Sequence, residues 1–418
     1  MATHVVTAFL RNDATVLLLR RSDAVGSYQG QWGGVAGHIE TTPPDRDAVA
    51  SAALTEIEEE TGLADAVTLV RCGAPFSVVD AALDTEWVVH PCLYDCPDRA
   101  VTPNEETTAW EWVQPPTILD RDTVPALWQS YTAVAPSVES IRTDTTHGSA
   151  TLSIRALEVL RDHSAVAARR DTEIDLPDLA HALLESRPGM AAVTNRLNRV
   201  MAAADRADAT ADPATIEDLA IQEIEAAVAA DDRAAATATD HLADRVVTIS
   251  ASGTVETALR AATVPVLVAE ARPGGEGHSL AARLADGDRP VTLAPDATIP
   301  GCIEGTDTVL VGADTVLPDG SVHNKVGTYP LALAADRVDA DCYAVCATDK
   351  IAPDAQVSTP DAPADTLDAP PGVAVTNPLL ETTPATLFDG IITESGVLAP
   401  SEIDALAEDL AALGTWRD

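Results

Sequence analysis

Hydrophobic positions along this chain change their period several times, and each change marks a different kind of structure. Val5–Leu10 and Val16–Arg20 are apolar runs of strand length separated by the turn residues Asn12-Asp13. A glycine-rich segment, Gly26–Gly37, follows them. Pro43-Pro44-Asp45 then opens a helix over Ala48–Thr61, and Gly62 stands just past its end, where a residue free to adopt positive φ stops a helix. Further strands are predicted at Val67–Cys72, Glu86–Tyr94 and Thr108–Val113. Pro115-Pro116 closes this mixed unit, and Ile118–Val138 reads as helical and then linking.

From Gly148 to Asp240 the spacing becomes that of long helices, predicted at Ser149–Arg161, Leu176–Ser186, Met190–Ala202 and Ile216–Ala230. Strands and helices then alternate. Strands are predicted at Arg245–Ser250, Val264–Ala269, Val291–Ala294, Thr308–Val311 and Cys342–Ala347, with helices at Thr254–Ala262, His278–Ala285 and Pro330–Arg337. Such alternation predicts a parallel sheet with crossover helices, an α/β architecture. Residues 353–372, rich in Pro, Ala and Asp, predict a surface excursion before order returns over Val373–Asp409. No internal repeat is visible.

Composition sharpens the picture. The 418 residues carry a formal net charge of -40, with 26 Lys+Arg against 66 Asp+Glu, and only two of the cations, Lys325 and Lys350, are lysines. The acid is spread along the whole length, and 46% hydrophobic residues leave enough apolar content for a large core. That is the composition of a protein from a salt-loving cytoplasm. No basic patch is present, which argues against nucleic-acid binding. No run reaches the roughly 18 apolar residues of a membrane span, so a cytoplasmic location without membrane contact is expected. Cys72, Cys92, Cys96, Cys302, Cys342 and Cys346 form neither a CxxC pair nor a Cys/His metal spacing, so reduced, buried thiols are expected.

Thr55-Glu56-Ile57-Glu58-Glu59-Glu60-Thr61-Gly62-Leu63 places Glu56, Glu59 and Glu60 on one face of the first predicted helix. Carboxylates so close either form a solvated acidic face or hold a hard cation such as Mg²⁺ or Mn²⁺. Together with Trp32-Gly33-Gly34-Val35-Ala36-Gly37-His38-Ile39-Glu40, the stretch resembles the Nudix box. That pattern runs glycine, short loop, acidic residue, seven residues, then Arg-Glu-apolar-x-Glu-Glu-x-Gly-apolar. The resemblance implies an α/β/α sandwich with a mixed sheet, and Glu56, Glu59 and Glu60 as metal-holding catalytic residues of a diphosphate hydrolase. Glu105 or Glu106 fits a further carboxylate. Three departures stand out: nine residues separate Gly37 from Asp47 where the family usually has five, Asp47 replaces a glutamate, and Thr55 replaces the arginine.

A second constellation lies in Gly312-Ala313-Asp314-Thr315-Val316-Leu317-Pro318-Asp319-Gly320-Ser321-Val322-His323-Asn324-Lys325-Val326-Gly327-Thr328. Read with Ala269-Glu270-Ala271-Arg272-Pro273, Ser186-Arg187-Pro188-Gly189, Asn195, Asn377-Pro378, Thr383-Pro384, Thr393-Glu394-Ser395-Gly396-Val397 and Lys350, it resembles a known superfamily. That superfamily joins the translation initiation factor 2B regulatory subunits, methylthioribose-1-phosphate isomerase and archaeal ribose-1,5-bisphosphate isomerase. The resemblance implies a helical subdomain and a Rossmann-like parallel-sheet domain, assembly through this half, Asp314 as a proton-transfer residue, and Arg272, Asn324 and Lys325 as substrate contacts. The isomerases carry Thr-His-Cys-Asn-Ser where this chain has Thr248-Ile249-Ser250-Ala251-Ser252, so Ser250 occupies the cysteine position. A serine hydroxyl is a far poorer acid than a thiol that titrates near 8.5. The phosphate-binding Arg-Gly-Ala is likewise His147-Gly148-Ser149 here.

The expected organisation is therefore a Nudix domain over 1–130, a linker over 131–145, a helical subdomain over 146–240 and a Rossmann-like sugar-phosphate domain over 241–418. The function expected is a metal-dependent hydrolase of a nucleoside or sugar diphosphate fused to a module that binds a phosphorylated pentose, working as a homo-oligomer. Two alternatives stay open: an aldose–ketose isomerase using Asp314 with Ser250 and a regulatory Nudix domain, or a non-catalytic metabolite-binding regulator. At molar salt the Debye length falls to about 3 Å, so the self-repulsion of so acidic a chain is screened. A cooperative thermal transition in molar KCl that weakens or disappears in dilute buffer is expected; an identical melt in both would overturn this reading of the charge.

Overall fold

Val6, Ala8 and Leu10 bury on one side of a strand and Phe9 on the other, and this alternation organises the first sheet. The computed structural model describes residues 2–41, 43–170, 172–210, 212–287, 289–370 and 372–417. They form two compact units, Met1–Ser140 with Glu158–Leu176 and Asp212–Ile221, and Ile141–Leu157 with Pro177–Ala211 and Gln222–Asp418. The sequence boundaries run along the chain, whereas these units interleave.

The first unit contains β1 (Thr3–Asn12), β2 (Thr15–Arg21), β3 (Trp32–Gly33), β4 (Val35–His38), α1 (Arg46–Thr61), β5 (Thr68–Cys72), β6 (Phe76–Asp80), β7 (Thr85–Asp95), β8 (Thr107–Val113) and α2 (Leu127–Thr132). Its eight-stranded sheet runs β3-β2-β1-β7-β5, with β4 on β1, β6 on β7 and β8 on β2. β1 and β7 are parallel and the other pairs antiparallel, the mixed sheet expected. Val49, Ala53 and Ile57 of α1 close one face over Val6, Ala8 and Leu17. Leu127, Trp128 and Tyr131 close the other over Phe9 and Leu18. The expectation of reduced cysteines is corrected for one pair, since Cys72 and Cys92 form a disulfide. Antiparallel pairing of β5 with β7 sets the two residues opposite each other, Cα atoms 4.1 Å apart. Only sheet register reveals that relation, because the 20-residue separation is no motif. Cys96, Cys342 and Cys346 are free and buried, and Cys302 is free but exposed.

Along the chain between the strands of the two sheets come α3 (Val138–Thr143), α4 (Ser149–Arg170), α5 (Leu176–Ser186), α6 (Ala191–Arg206) and α7 (Pro213–Thr239). The second sheet comprises β9 (Val246–Ile249), β10 (Val266–Ala269), β11 (Val291–Ala294), β12 (Thr308–Gly312), β15 (Asp341–Val345), β17 (Gly390–Thr393) and β18 (Gly396–Leu398). Its order is β11-β10-β9-β12-β15-β17-β18, parallel except for β18. Crossovers use α8 (Gly253–Ala261), α9 (Gly277–Ala285) and α10 (Thr328–Val338), and α11 (Pro400–Ala412) ends the fold. All four residues of β9 are buried, as a strand covered on both faces requires. A sheet that alternation does not predict, β13 (Thr315–Val316), β14 (Val322–Lys325) and β16 (Leu380–Thr383), carries Asn324 and Lys325. The excursion over 353–372 holds only a short 3-10 turn, Ala364–Leu367, and Pro371 lies outside the described residues.

Arginines anchor both interiors. Arg161, fully buried, donates to Asp162, the Ala14 carbonyl and Gln114 at 2.8, 3.0 and 2.7 Å. In the second unit the equally buried Arg196 donates to Asp349 at 2.9 Å and to Ser153 at 2.7 Å, while Arg199 reaches the other Asp349 oxygen at 2.6 Å. These two guanidiniums hold the Asp349 carboxyl below the ordinary carboxylate range although burial pushes the other way. Breaking such a buried pair from one side costs about 3–5 kcal/mol. Arg196→Met is therefore expected to lose about that much in denaturant unfolding at high salt. The Asp349 contribution is present at neutral pH and disappears as pH falls through its depressed pKa, so Asp349→Asn flattens the acid limb of the stability curve.

Candidate functional sites

Asp45 starts α1 by accepting the Ala48 N–H at 2.9 Å, and Gly62, at φ 69°, ends it by donating to the Glu58 carbonyl. Glu58, Glu59 and Glu60 thus crowd the C-terminal turn, where the helix dipole disfavours anions and no basic residue offsets them. Glu60 points inward and is 5% exposed, Glu56 is half-buried and Glu59 is exposed. Burial first, then the Glu56 charge, pushes the Glu60 carboxyl up to about 8, against Arg21 and the Ala36 N–H, which favour its ionised form. Glu56 is raised by burial and then by Glu59 and Glu106. Of the two extra carboxylates expected from sequence, Glu106 therefore faces the cluster. Gly37 packs against Glu56, and any Cβ there would fall 1.6 Å from the Glu56 Oε1.

Arg21 is the residue that the sequence reading missed. It lies at the end of β2, outside the motif, yet supplies the cation felt by Glu60. Thr55, at the motif's arginine position, turns its hydroxyl back to the Ser51 carbonyl at 3.1 Å. Asp47 is exposed on the outer side of α1, in a shallow depression shared with Thr55, Glu58 and Glu59. Among the described residues, no group of three or more His, Cys, Asp or Glu side chains is arranged to hold a metal ion. The donor chemistry still suits one: oxygen-only carboxylates that raise one another's pKa gain a counter-charge from a hard dication, with a glycine leaving room beside them.

In the second unit the candidate residues stand at the carboxyl ends of neighbouring parallel strands. β9 lies between β10 and β12, where the strand order reverses, the place where open α/β sheets bind ligands. Ser250 follows β9 at φ 65° and Ala271 follows β10 at φ 62°, left-handed conformations that L side chains adopt at a cost. Ser252 caps α8 and packs so closely on Gly312 that a Cβ there would come within 2.7 Å. Asp314 follows β12; its N–H donates to the His323 carbonyl at 3.1 Å and its carboxylate accepts from the Ser149 hydroxyl at 3.4 Å. Gly148, just before α4, is thereby brought beside Asp314. Lys350, 6% exposed, donates to the Ala313 carbonyl at 2.8 Å and steadies the Asp314 turn from behind.

Other predicted contacts are turned toward the protein. Asn324 is buried and donates to the Thr328 hydroxyl at 3.0 Å. Arg272 is exposed and pairs with Glu270 at 3.1 Å, and Lys325 pairs with Glu276 at 2.7 Å. His147 is held by Asp144 at 2.7 Å. No thiol replaces the missing cysteine at β9: burial pushes both Cys342 and Cys346 up to about 12. Among the described residues, no helix is long and apolar enough to cross a membrane.

Residues 1–134 match the Nudix domain model, and residues 145–400 match that of the initiation factor 2 subunit family. A ribose 1,5-bisphosphate isomerase from Haloterrigena turkmenica is 30% identical over 307 residues, spanning 66% of this chain and 94% of that protein. The ribose 1,5-bisphosphate isomerase of Archaeoglobus fulgidus is 33% identical over 150 residues, 33% of this chain and 46% of its own. The crystal structure of translation initiation factor eIF-2B from Pyrococcus horikoshii shares the fold with a TM-score of 0.54 at 23% identity, covering 63% of this chain and 96% of that one. The 5-methylthioribose 1-phosphate isomerase of the same organism gives 0.52 at 22%, covering 65% and 86%.

The Glu60 shift has a thermodynamic consequence. An unfolded glutamate loses its proton near 4.5, whereas the folded one keeps it to about 8, so the native state binds more protons between those values. Stability of chelator-treated protein is expected to fall as pH rises from 5 to about 8, and Glu60→Gln or excess Mg²⁺ to flatten the slope. Thermal melts across that range check it.

Proposed function

The chain belongs to the initiation factor 2 subunit family and carries a Nudix domain ahead of the family module, and we propose that it hydrolyses a nucleoside or sugar diphosphate with a divalent metal while its second module binds a phosphorylated pentose. The observation that carries the hydrolase reading is the crowding of Glu56, Glu59 and Glu60 at the unfavourable end of α1, with the Glu106 charge felt by Glu56 and Glu60 and Gly37 packed against Glu56. Mg²⁺ or Mn²⁺ held by Glu56, Glu59 and Glu60 would supply the charge that polarises a diphosphate and acidifies an attacking water. Glu60 stores a proton in the metal-free protein, the Ala36 N–H orients its carboxyl, and Arg21 moderates the local negative charge. Gly37 lets the loop pass close to Glu56.

Pentose-phosphate binding is supported by the similarity to ribose 1,5-bisphosphate isomerases and by Ser250, Arg272, Asp314 and Lys325 at the reversal of strand order. The isomerase reading is favoured by one contact, that of Asp314 with Ser149. Against it, Ser250 replaces the acidic thiol and the neighbouring thiols are buried and un-ionised at neutral pH. We therefore assign binding to this module, with assembly into a homo-oligomer through it. A relative from C. thermophilum is described as a tetrameric complex.

Purified protein in molar KCl with Mg²⁺ or Mn²⁺ is expected to cleave at least one of ADP-ribose, nucleoside triphosphates, dinucleotides or phosphoribosyl pyrophosphate, followed by mass spectrometry. Glu59→Gln and Glu60→Gln are each expected to lower turnover by about 100-fold or more, the scale of a lost general base. No cleavage of any candidate overturns the hydrolase reading and leaves a regulator. A ketose phosphate formed from an aldose 1-phosphate restores the isomerase.

A further inference from the structure

The cations of the second site are already engaged. Around the carboxyl ends of β9, β10 and β12, Arg272 and Lys325 face four carboxylates. Glu270 pairs with Arg272 at 3.1 Å and lies 3.6 Å from His278, and Glu276 pairs with Lys325 at 2.7 Å. Asp296 accepts the N–H groups of Ala271 and Arg272 at 2.8 and 2.7 Å, and Asp314 stands beside Ser149. A pentose bisphosphate would bring a further charge of roughly -3 to -4 at neutral pH into this acid-rich setting. With the arginine of the phosphate motif absent at His147, little cationic charge remains to receive it.

Glu276 is built into its position. It precedes α9 without capping that helix, and its side chain reaches Lys325 instead. The glycines around it give it room: a Cβ on Gly274 would lie 2.3 Å from the Glu276 Oε1, and one on Gly277 would lie 1.9 Å from the Ala269 carbonyl oxygen. Lys325 is 17% exposed and Glu276 34%, so the pair is sheltered without being sealed. The second Glu276 oxygen, Oε2, is buried and has no hydrogen-bond partner. A buried acceptor left unmet is costly, and a donor that reaches Oε2 would relieve that cost. A phosphate, mostly dianionic at neutral pH, seldom has a proton to offer it and would be repelled. A hydroxyl fits both members of the pair, donating to Glu276 and accepting from Lys325.

We infer that Glu276 is a specificity-determining residue of the second site, excluding a second phosphate and selecting a pentose that carries a single phosphate and presents free hydroxyls to the Lys325–Glu276 pair. The inference rests on the reading of this module as a pentose-phosphate binder. Wild type and Glu276→Gln, both checked for folding by thermal melts, are titrated calorimetrically in molar KCl with ribose 5-phosphate and ribose 1,5-bisphosphate. Removing the charge without changing the shape is expected to shift the ratio of affinities at least about 10-fold toward the bisphosphate, a change of about 1.4 kcal/mol. Lys325→Met, which removes the donor, is expected to weaken both ligands. A smaller shift in Glu276→Gln, with binding intact, overturns the role of Glu276 alone. Binding of neither ligand by wild type or variant overturns the pentose-phosphate reading and this inference with it.

Discussion

Buried guanidiniums hold each half of this protein together. In a chain with 66 acidic residues and 26 Lys+Arg, a few of the scarce cations are placed in the interior. Arg161 and Arg196 are fully buried, and each satisfies several acceptors at once. A planar, permanently charged fork of donors suits this multiple pairing better than a lysine ammonium does. Asp349 shows the dependence: two arginines meet its two oxygens, and the next residue, Lys350, reaches back to the Ala313 carbonyl beside Asp314. A structural ion cluster therefore also sets the floor of the second site.

The first site works by the opposite principle. Its carboxylates are placed where they repel: at the negative end of α1, close together, one of them buried. Folding tolerates this because α1 is secured elsewhere, by the Asp45 cap, by the Gly62 stop and by Val49, Ala53 and Ile57 in the core. A hard dication joining them would relieve that repulsion, so local instability and the proposed metal affinity have the same origin. Arg21, at the end of β2, tempers the repulsion on Glu60.

The second site keeps its framework while its charged groups are engaged with one another. Strand order, left-handed turns at Ser250 and Ala271, and the Asp314 turn are all present, while the acidic thiol is gone and the cations are paired. Such changes lie outside β9, β10 and β12, at Ser250 and Arg272 beyond strand ends and at Lys325 on β14.

Much was legible in the sequence for local reasons. The α1 cap and stop, the paired glutamates, and the alternation of strands and helices after residue 240 are dictated by neighbours a few positions apart, and the structure places those elements where the periodicity predicts them. What the sequence could not determine depends on residues distant in the chain. The Cys72–Cys92 disulfide follows from sheet register, the small sheet carrying Asn324 and Lys325 from pairing with β16, and the role of Arg21 from the approach of β2 to α1. The sequence alone determined the helix faces, the strand alternation and the charge balance; the tertiary structure decided which charges meet, because pairing across sheets and loops is set by packing that no local spacing encodes.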